Sequence, residues 1–301
     1  MEDILTLVVA DTAKKALDGP VLAKLAETVQ KRGIEMGDAV WLSDGRACDI
    51  PFMSKAAISS MESMFRTFFT GTAIDLMVGP SPGRRKRLLV ADMDQTIITQ
   101  ETLDEMAEHA GLREEIAAIT ARTMRGEIAF EDALRDRLGM LKGLPESALR
   151  ETLAAIEPSP GAKALVATMN AHGAYTALVS GGFTYFTEPV KKLLGFQFAA
   201  GNELIIEDKK LTGAVVEPIL GRDAKVGLLT RLVGELHINV RDALTIGDGA
   251  NDLGMIQTAG LGVSYYGKPL LAAAARARIE YTDLRTALYF QGYSDAEISE
   301  G

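Results

Sequence analysis

The sequence is poor in cysteine and contains no long apolar run. Its 301 residues include one cysteine, Cys48, so an intrachain disulfide is excluded and a disulfide-stapled secreted protein is not expected. No apolar run approaches the roughly 18 residues that a membrane-spanning helix needs. The N-terminus starts with acidic residues and a short strand-like run, whereas a signal peptide starts with positive charge. We therefore expect a cytoplasmic protein with no membrane partner.

An excess of basic residues is also missing. The formal net charge is −9, which disfavours a broad surface for nucleic acid or anionic membranes. The one compact basic run, residues 84–87, stands beside two prolines and is interpreted as a solvated linker over residues 81–87. Small-molecule substrates remain, and the apolar content of 47% is typical of a folded globular protein.

The first 80 residues predict a small α+β domain. Strand-like and helical patterns cover residues 4–10, 21–29, 39–42, 54–69 and 74–78, and a turn follows the third of them at residues 43–45. The order is approximately βαββαβ if a further strand follows that turn. In composition this stretch resembles an ACT-type ligand-sensing domain with a ferredoxin-like fold. That resemblance implies an amino-acid effector bound by this domain.

From Leu88 onward, short apolar strands alternate with helical stretches. The strands are expected at residues 88–91, 174–179, 196–199, 243–246 and 261–263, with a hairpin over 203–215. This rhythm predicts a doubly wound parallel sheet covered by helices on both faces, a domain spanning residues 88–301. Residues 97–157 contain only amphipathic helical runs, and this stretch is far longer than the dozen or so residues that a crossover needs. We expect a helical cap insertion there, above the carboxyl edge of the sheet.

Polar residues follow three of the predicted strands, where ligands of such sheets bind. They are Asp92 and Asp94 after the first strand, Ser180 and Gly181 after the second, and Asp248, Asn251 and Asp252 after the fourth. Neighbouring carboxylates stay ionised together when a divalent cation lies beside them, and oxygen ligands favour Mg²⁺. The glycine-rich turn after Val179 and the helix that follows can bind phosphate oxygens. Taken singly, each of these motifs also fits an ordinary turn. Lys225, at the start of a later amphipathic run, likewise fits a solvated lysine when taken alone.

In combination, these motifs resemble the four ordered motifs of the haloacid dehalogenase-like phosphotransferases. D-x-D-x-T is present from Asp92 to Thr96, and Ser180, Lys225 and G-D-x-x-x-D ending at Asp252 follow in that order. The resemblance implies that Asp92 is a nucleophile that forms an aspartyl-phosphate and that Asp94 is the general acid and base. It further implies Mg²⁺ held by the Asp92 carboxylate, the Asp94 backbone carbonyl and Asp248. The implied phosphoryl ligands are Ser180, the Gly181 N–H, Lys225 and Asn251, with Asp252 in support.

The cap is similar to that of phosphoserine phosphatases, which carry a Glu after the first motif and then M-x-G-x-x-x-F-x-x-x-x-x-x-R. Glu101, Met124, Phe130 and Arg137 match this pattern. The resemblance implies that Glu101 pairs with the substrate ammonium and Arg137 with its carboxylate, while Met124 and Phe130 exclude water. Hydrolysis of O-phosphoserine to serine, the last step of serine biosynthesis, is the expected activity. Gln95 replaces the small serine usual in D-x-D-S-T, which bears on rate and selectivity.

Two alternatives stay open at this point. One is another phosphatase or phosphotransferase of the same superfamily, with a sugar phosphate or a nucleotide as substrate. The other is an amino-acid-sensing regulatory protein whose phosphatase half is inactive. Every catalytic position holds the residue type that its chemistry requires, which favours an active enzyme. A homodimer is a further expectation.

Overall fold

The structure is a computed structural model that describes residues 3–10, 17–124 and 127–301; the side chain of Met124 also lies outside the described part. The chain begins with an antiparallel sheet and two helices. In chain order these elements are β1 (Asp3–Val9), α1 (Gly19–Gln30), β2 (Glu35–Met36), β3 (Val40–Ser43), β4 (Ala47–Met53), α2 (Ile58–Phe68) and β5 (Ile74–Pro80). Strand β1 lies between β4 and β5, and both β2 and β3 pair with β4. The predicted α+β order is confirmed, with the two-residue strand β2 in addition.

Alternation along β1 gives this sheet two apolar faces. Leu5 and Leu7 pack with residues of α1 and α2, such as Leu25 and Phe65. Val8 points the other way and joins the core of the second half of the molecule. The N-terminal sheet therefore lies between its own two helices and the second half of the chain.

The second half is an α/β unit, as the sequence predicts. Its elements are β6 (Leu88–Ala91), α3 (Thr102–Ala110), α4 (Arg113–Met124), α5 (Phe130–Met140), α6 (Glu146–Ala154), α7 (Ala162–Ala171), β7 (Tyr175–Phe183), α8 (Thr184–Leu194), β8 (Phe198–Asn202), β9 (Leu204–Glu207), β10 (Lys210–Val215), α9 (Arg222–Glu235), β11 (Ala243–Gly247), α10 (Leu253–Thr258), β12 (Leu261–Tyr265), α11 (Pro269–Ala274), β13 (Ala277–Ile279) and α12 (Thr286–Tyr289). The short edge strand β13 is absent from the sequence prediction.

Six strands of the described chain form one parallel sheet in the order β13-β12-β11-β6-β7-β8. All four residues of β6 are buried, as expected for a central strand with helices on both faces. Because β6 pairs with both β11 and β7, the residues that follow these three strands emerge side by side. This edge of the sheet carries the polar motifs.

The expected helical insertion is present as α3, α4, α5 and α6. An isolated bridge between Ile98 and Pro158 closes its base. The hairpin β9–β10 is also confirmed, and a bridge between Pro145 and Lys210 joins it to the insertion. Among the residues that the structure describes, no helix has both the length and the apolar character needed to cross a bilayer.

Polar contacts fasten the N-terminal sheet to the α/β unit. The Asp75 carboxylate accepts hydrogen bonds from the backbone N–H groups of residues 280–282, at 2.8, 3.2 and 3.0 Å, and from Thr282 Oγ1 at 2.6 Å. Arg84 pairs with Asp49 at 2.7 Å, and its side chain is only 13% exposed. The interpretation of the basic run as a solvated linker is therefore wrong for Arg84. Its partner is remote in sequence, so the local pattern could not reveal it.

Candidate active site

Asp92 stands at the carboxyl end of β6 and is the centre of a buried polar cluster. Its Oδ1 atom accepts hydrogen bonds from the Met93 N–H, at 2.8 Å, and lies 2.8 Å from Lys225 Nζ. Asn251 Nδ2 donates to Asp92 Oδ2 at 3.4 Å. The side chain is thus held in one orientation at the edge of the sheet.

Lys225 projects from α9 and is the counter-ion of two carboxylates. Its Nζ lies 2.7 Å from Asp252 Oδ1 as well as 2.8 Å from Asp92, and its side chain is 1% exposed. Burial acts to lower the pKa of Lys225, but Asp252 and Asp92 outweigh it and raise the pKa. Lys225 is therefore a permanent buried cation, and the alternative of a solvated lysine is wrong.

Three carboxylates of this cluster are close enough to bind one cation. Asp92, Asp248 and Asp252 each offer an oxygen, and these atoms lie within 4.8 Å of one another. Burial, and then the charge of Asp92, raise the pKa of Asp248 to about 6. Both oxygens of Asp252 already have donors, Lys225 and the Gly249 N–H at 3.1 Å. Hard oxygen ligands with surplus negative charge suit a divalent cation.

Asp94 connects the sheet with the first cap helix. Its Oδ1 accepts a hydrogen bond from the N–H of Thr102, the first residue of α3, at 2.8 Å. Its Oδ2 accepts one from Ser180 Oγ at 3.1 Å, and Ser180 Oγ in turn accepts the Gly182 N–H at 2.8 Å. Burial is the main cause that raises the pKa of Asp94 to about 6. A carboxyl group with this pKa can both give and take a proton near neutral pH.

A cavity of about 480 Å³ opens between the sheet edge and the insertion. Most of the predicted site residues line it: Asp92, Asp94, Glu101, Phe130, Arg137, Ser180, Gly181, Asp248 and Asn251. Lys225 and Asp252 are not among the lining residues, but the Lys225 ammonium lies 2.8 Å from Asp92 Oδ1 in the cavity wall and 2.7 Å from Asp252 Oδ1. The side chain of Met124 falls outside the described part of the chain. A single space therefore joins the acidic cluster to the cap.

Opposite charges face each other at the cap end of the cavity. Arg137 on α5 is buried, and it donates hydrogen bonds to the Ala133 carbonyl at 3.1 Å and to Thr120 Oγ1 at 3.2 Å. Burial lowers the pKa of its guanidinium, and the charge of Glu101 is the largest influence that acts to raise this pKa. Burial, followed by the charge of Asp94, raises the pKa of Glu101 well above its ordinary value. These two groups suit a ligand that carries both a cation and an anion.

A family model described as haloacid dehalogenase-like hydrolase matches residues 89–257, more than half of the chain. The chain belongs to the haloacid dehalogenase-like hydrolase family. A phosphoserine phosphatase of Haemophilus influenzae is 43% identical over 208 residues, which cover 69% of this chain and 66% of that protein. The chain spans between 52% and 66% of the length of three curated phosphoserine phosphatases that it matches.

One solved structure extends the likeness to almost the whole chain. A crystal structure of a HAD family hydrolase from Salmonella enterica subsp. enterica serovar Typhi covers 98% of this chain and 99% of its own, with a TM-score of 0.85 at 26% identity. A phospho-aspartyl intermediate analogue of phosphoserine phosphatase covers 68% of this chain and 99% of its own, with a TM-score of 0.65 at 38% identity. The first match includes the N-terminal sheet, and the second covers about two-thirds of this chain.

Sequence reasoning missed some residues of the hydrolase site. Thr102 and Gly182 hold Asp94 and Ser180, and Arg222 and Lys268 line the cavity. A signal for Lys268 was available, because it closely follows the predicted strand that is now β12. Gln95, by contrast, is exposed and does not line the cavity; its backbone has a φ of 54°.

Proposed function

We propose that this hydrolase converts O-phosphoserine to serine and inorganic phosphate with Mg²⁺ as cofactor. The observation that carries the proposal is the single cavity in which Asp92 and its charged neighbours face Glu101 and Arg137 of the cap. Relatives about 40% identical, named phosphoserine phosphatases, support the same substrate. Phosphoserine supplies a phosphoryl group for one end of this space, and an ammonium and a carboxylate for the other.

The donor set fits a magnesium ion. The Asp92 and Asp248 carboxylates and the Asp94 backbone carbonyl would hold it, while Asp252 keeps Lys225 in position. A bound Mg²⁺ supplies neutralisation of the charge on the transferring phosphoryl group. Because Lys225 is the buried cation that Asp92 and Asp252 share, further positive charge in the acidic cluster is favourable.

Asp92 attacks the phosphorus in line, and the bond between phosphorus and the serine oxygen breaks. Asp94, protonated at that moment, gives its proton to the departing serine oxygen. In the second step, the Asp94 carboxylate takes a proton from water, whose oxygen attacks the phosphorus of the aspartyl-phosphate. Phosphate leaves, and both aspartates return to their starting state.

The remaining residues bind and orient the substrate. Ser180, the Gly181 N–H, Lys225 and Asn251 donate to the phosphoryl oxygens. Glu101 accepts the ammonium and Arg137 donates to the carboxylate, which lowers the cost of keeping these two charges buried. Phe130 lies against Gly181 and shields the phosphoester from water. Met124 is proposed to assist from the same cap segment.

Three further proposals concern the whole molecule. We propose that residues 1–80 and 88–301 are distinct domains joined by residues 81–87, with the cap at about 97–157. We also propose that the N-terminal domain binds an amino-acid effector and that the protein forms a homodimer. Calorimetry with free serine and sedimentation of the full chain test the last two.

The central test is phosphate release from phosphoserine with and without Mg²⁺, beside Asp92→Asn. We expect turnover only with the wild type and Mg²⁺, and an acid-stable label on the wild type after quenching a reaction with ³²P-labelled substrate. Turnover by the Asp92→Asn variant at the wild-type rate would contradict the nucleophile assignment.

The cap assignment has its own control. Arg137→Ala should lower kcat/KM for phosphoserine by about 10²-fold, because an unpaired carboxylate is costly to bury. Turnover of p-nitrophenyl phosphate, which lacks that carboxylate, should change little. Equal losses on both substrates would argue against recognition by Arg137.

A further inference from the structure

Lys268 lines the active-site cavity, and its contacts differ from those of the buried Lys225. Its backbone N–H donates to the Asp248 carbonyl at 2.9 Å, which fixes the start of this side chain beside the acidic cluster. Its Nζ lies 3.6 Å from Asp248 Oδ2, beyond hydrogen-bond distance, and the side chain is 43% exposed. A hydrogen bond therefore holds the main chain, while no hydrogen bond among the described residues holds the ammonium.

Lys268 lines the same cavity as Asp248 and the cap residues Glu101 and Arg137. Its charge acts on Asp248 in the core and on Asp104 of α3, and it lowers the pKa of both against the larger effect of burial. Asp104 Oδ1 is buried without a hydrogen-bond partner among the described residues. Lys268 thus shares the cavity with Thr102, the first residue of α3.

We infer that Lys268 is a displaceable counter-ion, which neutralises Asp248 while the divalent cation is absent and serves the anionic substrate once that cation is bound. The inference rests on the proposed function. A divalent cation on Asp248 repels an ammonium only a few ångströms away, and the flexible four-carbon stem lets the ammonium swing aside. Lys225 cannot do this, because two short ion pairs hold it in the interior.

In this role, the charge of Lys268 weakens the binding of Mg²⁺ and strengthens the binding of the anionic substrate. Before the cation binds, Lys268 competes with it for Asp248. After the cation binds, Lys268 adds positive charge beside the phosphoester. If Lys268 only supported the fold, its removal would weaken the binding of both Mg²⁺ and substrate. Tighter binding of Mg²⁺ together with weaker binding of substrate therefore distinguishes a counter-ion from a structural residue.

The test uses the full chain as wild type, Lys268→Ala and Lys268→Arg. Calorimetric titration with MgCl₂ should give a dissociation constant about 3- to 10-fold lower for Lys268→Ala, because a partly screened positive charge near the site is gone. The Lys268→Arg variant keeps the charge, so its constant should stay within about twofold of the wild type. At saturating Mg²⁺, the KM for phosphoserine should rise about 3- to 10-fold in Lys268→Ala, with a smaller change in kcat. Lys192→Ala, an exposed lysine on α8, is the matched control and should move neither constant.

The outcomes are distinct. Tighter Mg²⁺ binding together with a higher KM supports the exchange of counter-ions. Unchanged or weaker Mg²⁺ binding by Lys268→Ala overturns it, even if wild-type activity is normal. Absence of Mg²⁺ binding by the wild type would instead overturn the proposed function, and this inference with it.

Discussion

The buried lysine of the site offers a strong test of the electrostatic argument. Lys225→Met keeps the length and the apolar stem of the side chain but leaves Asp92 and Asp252 without the ammonium that lies 2.8 and 2.7 Å from them. Removing one partner of a buried ion pair typically costs about 3–5 kcal/mol, because the remaining charge is left in the interior. We expect a loss of that size in the free energy of unfolding at pH 7 in EDTA.

Magnesium should return part of this stability. A cation that binds only the folded protein adds about 2.7 kcal/mol when its concentration is a hundred times its dissociation constant. It also neutralises Asp92, one of the two carboxylates that the variant leaves buried without a counter-ion. The gain from Mg²⁺ should therefore be larger for Lys225→Met than for the wild type.

Urea unfolding followed by far-ultraviolet circular dichroism, with EDTA or with Mg²⁺, measures both effects. Lys192→Met on the exposed surface of α8 is the control and should stay within about 0.5 kcal/mol of the wild type. If Lys225→Met lost no more than this control, the two carboxylates could not be ionised partners of a buried lysine, and the reasoning would fail.

Three other predictions follow from the geometry. Asp94→Asn should slow phosphoserine turnover by about 10²–10⁴-fold. With p-nitrophenyl phosphate, whose leaving group needs no proton, the same variant should give a rapid burst of p-nitrophenol in stopped flow. Absence of this burst would contradict the role assigned to Asp94. Gly182→Ala would place a methyl group 2.9 Å from Asp94 Oδ2 and 3.0 Å from Ser180 Oγ, so kcat should fall about 10-fold or more. The control is Gly227→Ala on α9, where the methyl group meets nothing within 4 Å and kcat should stay unchanged. Asp75→Ala should lower the free energy of unfolding in urea by about 3 kcal/mol, because four donors lose their acceptor. Asp44→Ala in the exposed β3–β4 turn should change it very little. Equal effects of the two substitutions would refute the importance of the Asp75 contacts.

Much of the fold was predictable because its signals are local. Continuous apolar strands such as residues 88–91 indicate a central parallel sheet, and the acids that follow such a strand must emerge at its carboxyl edge. The helical insertion was recognisable because residues 97–157 are too long for a crossover and show a helical period. Strand β13 was missed because three residues, one of them Arg278, carry no periodic signal.

The parts of the site that escaped prediction depend on contacts between distant segments. The local pattern around Lys225 favours a solvated lysine, and only the family resemblance predicted its place in the site, because its partners Asp92 and Asp252 come from distant segments. Thr102 acts through its backbone N–H, which any residue type would offer, so its identity gives no warning. Outside the site, the burial of Arg84 was equally hidden, because its partner Asp49 lies 35 residues earlier, in β4 of the N-terminal sheet.

The Asp75 contacts limit how far the molecule can be shortened. A chain reduced to the α/β part would leave the three N–H groups after β13 without their acceptor, and Arg84 without its carboxylate. It would also uncover apolar side chains that now pack against Val8 and Met77. Trimming the first eighty residues would therefore favour self-association of the remaining piece, and fusions or deletions at this junction should retain β5 with its buried aspartate.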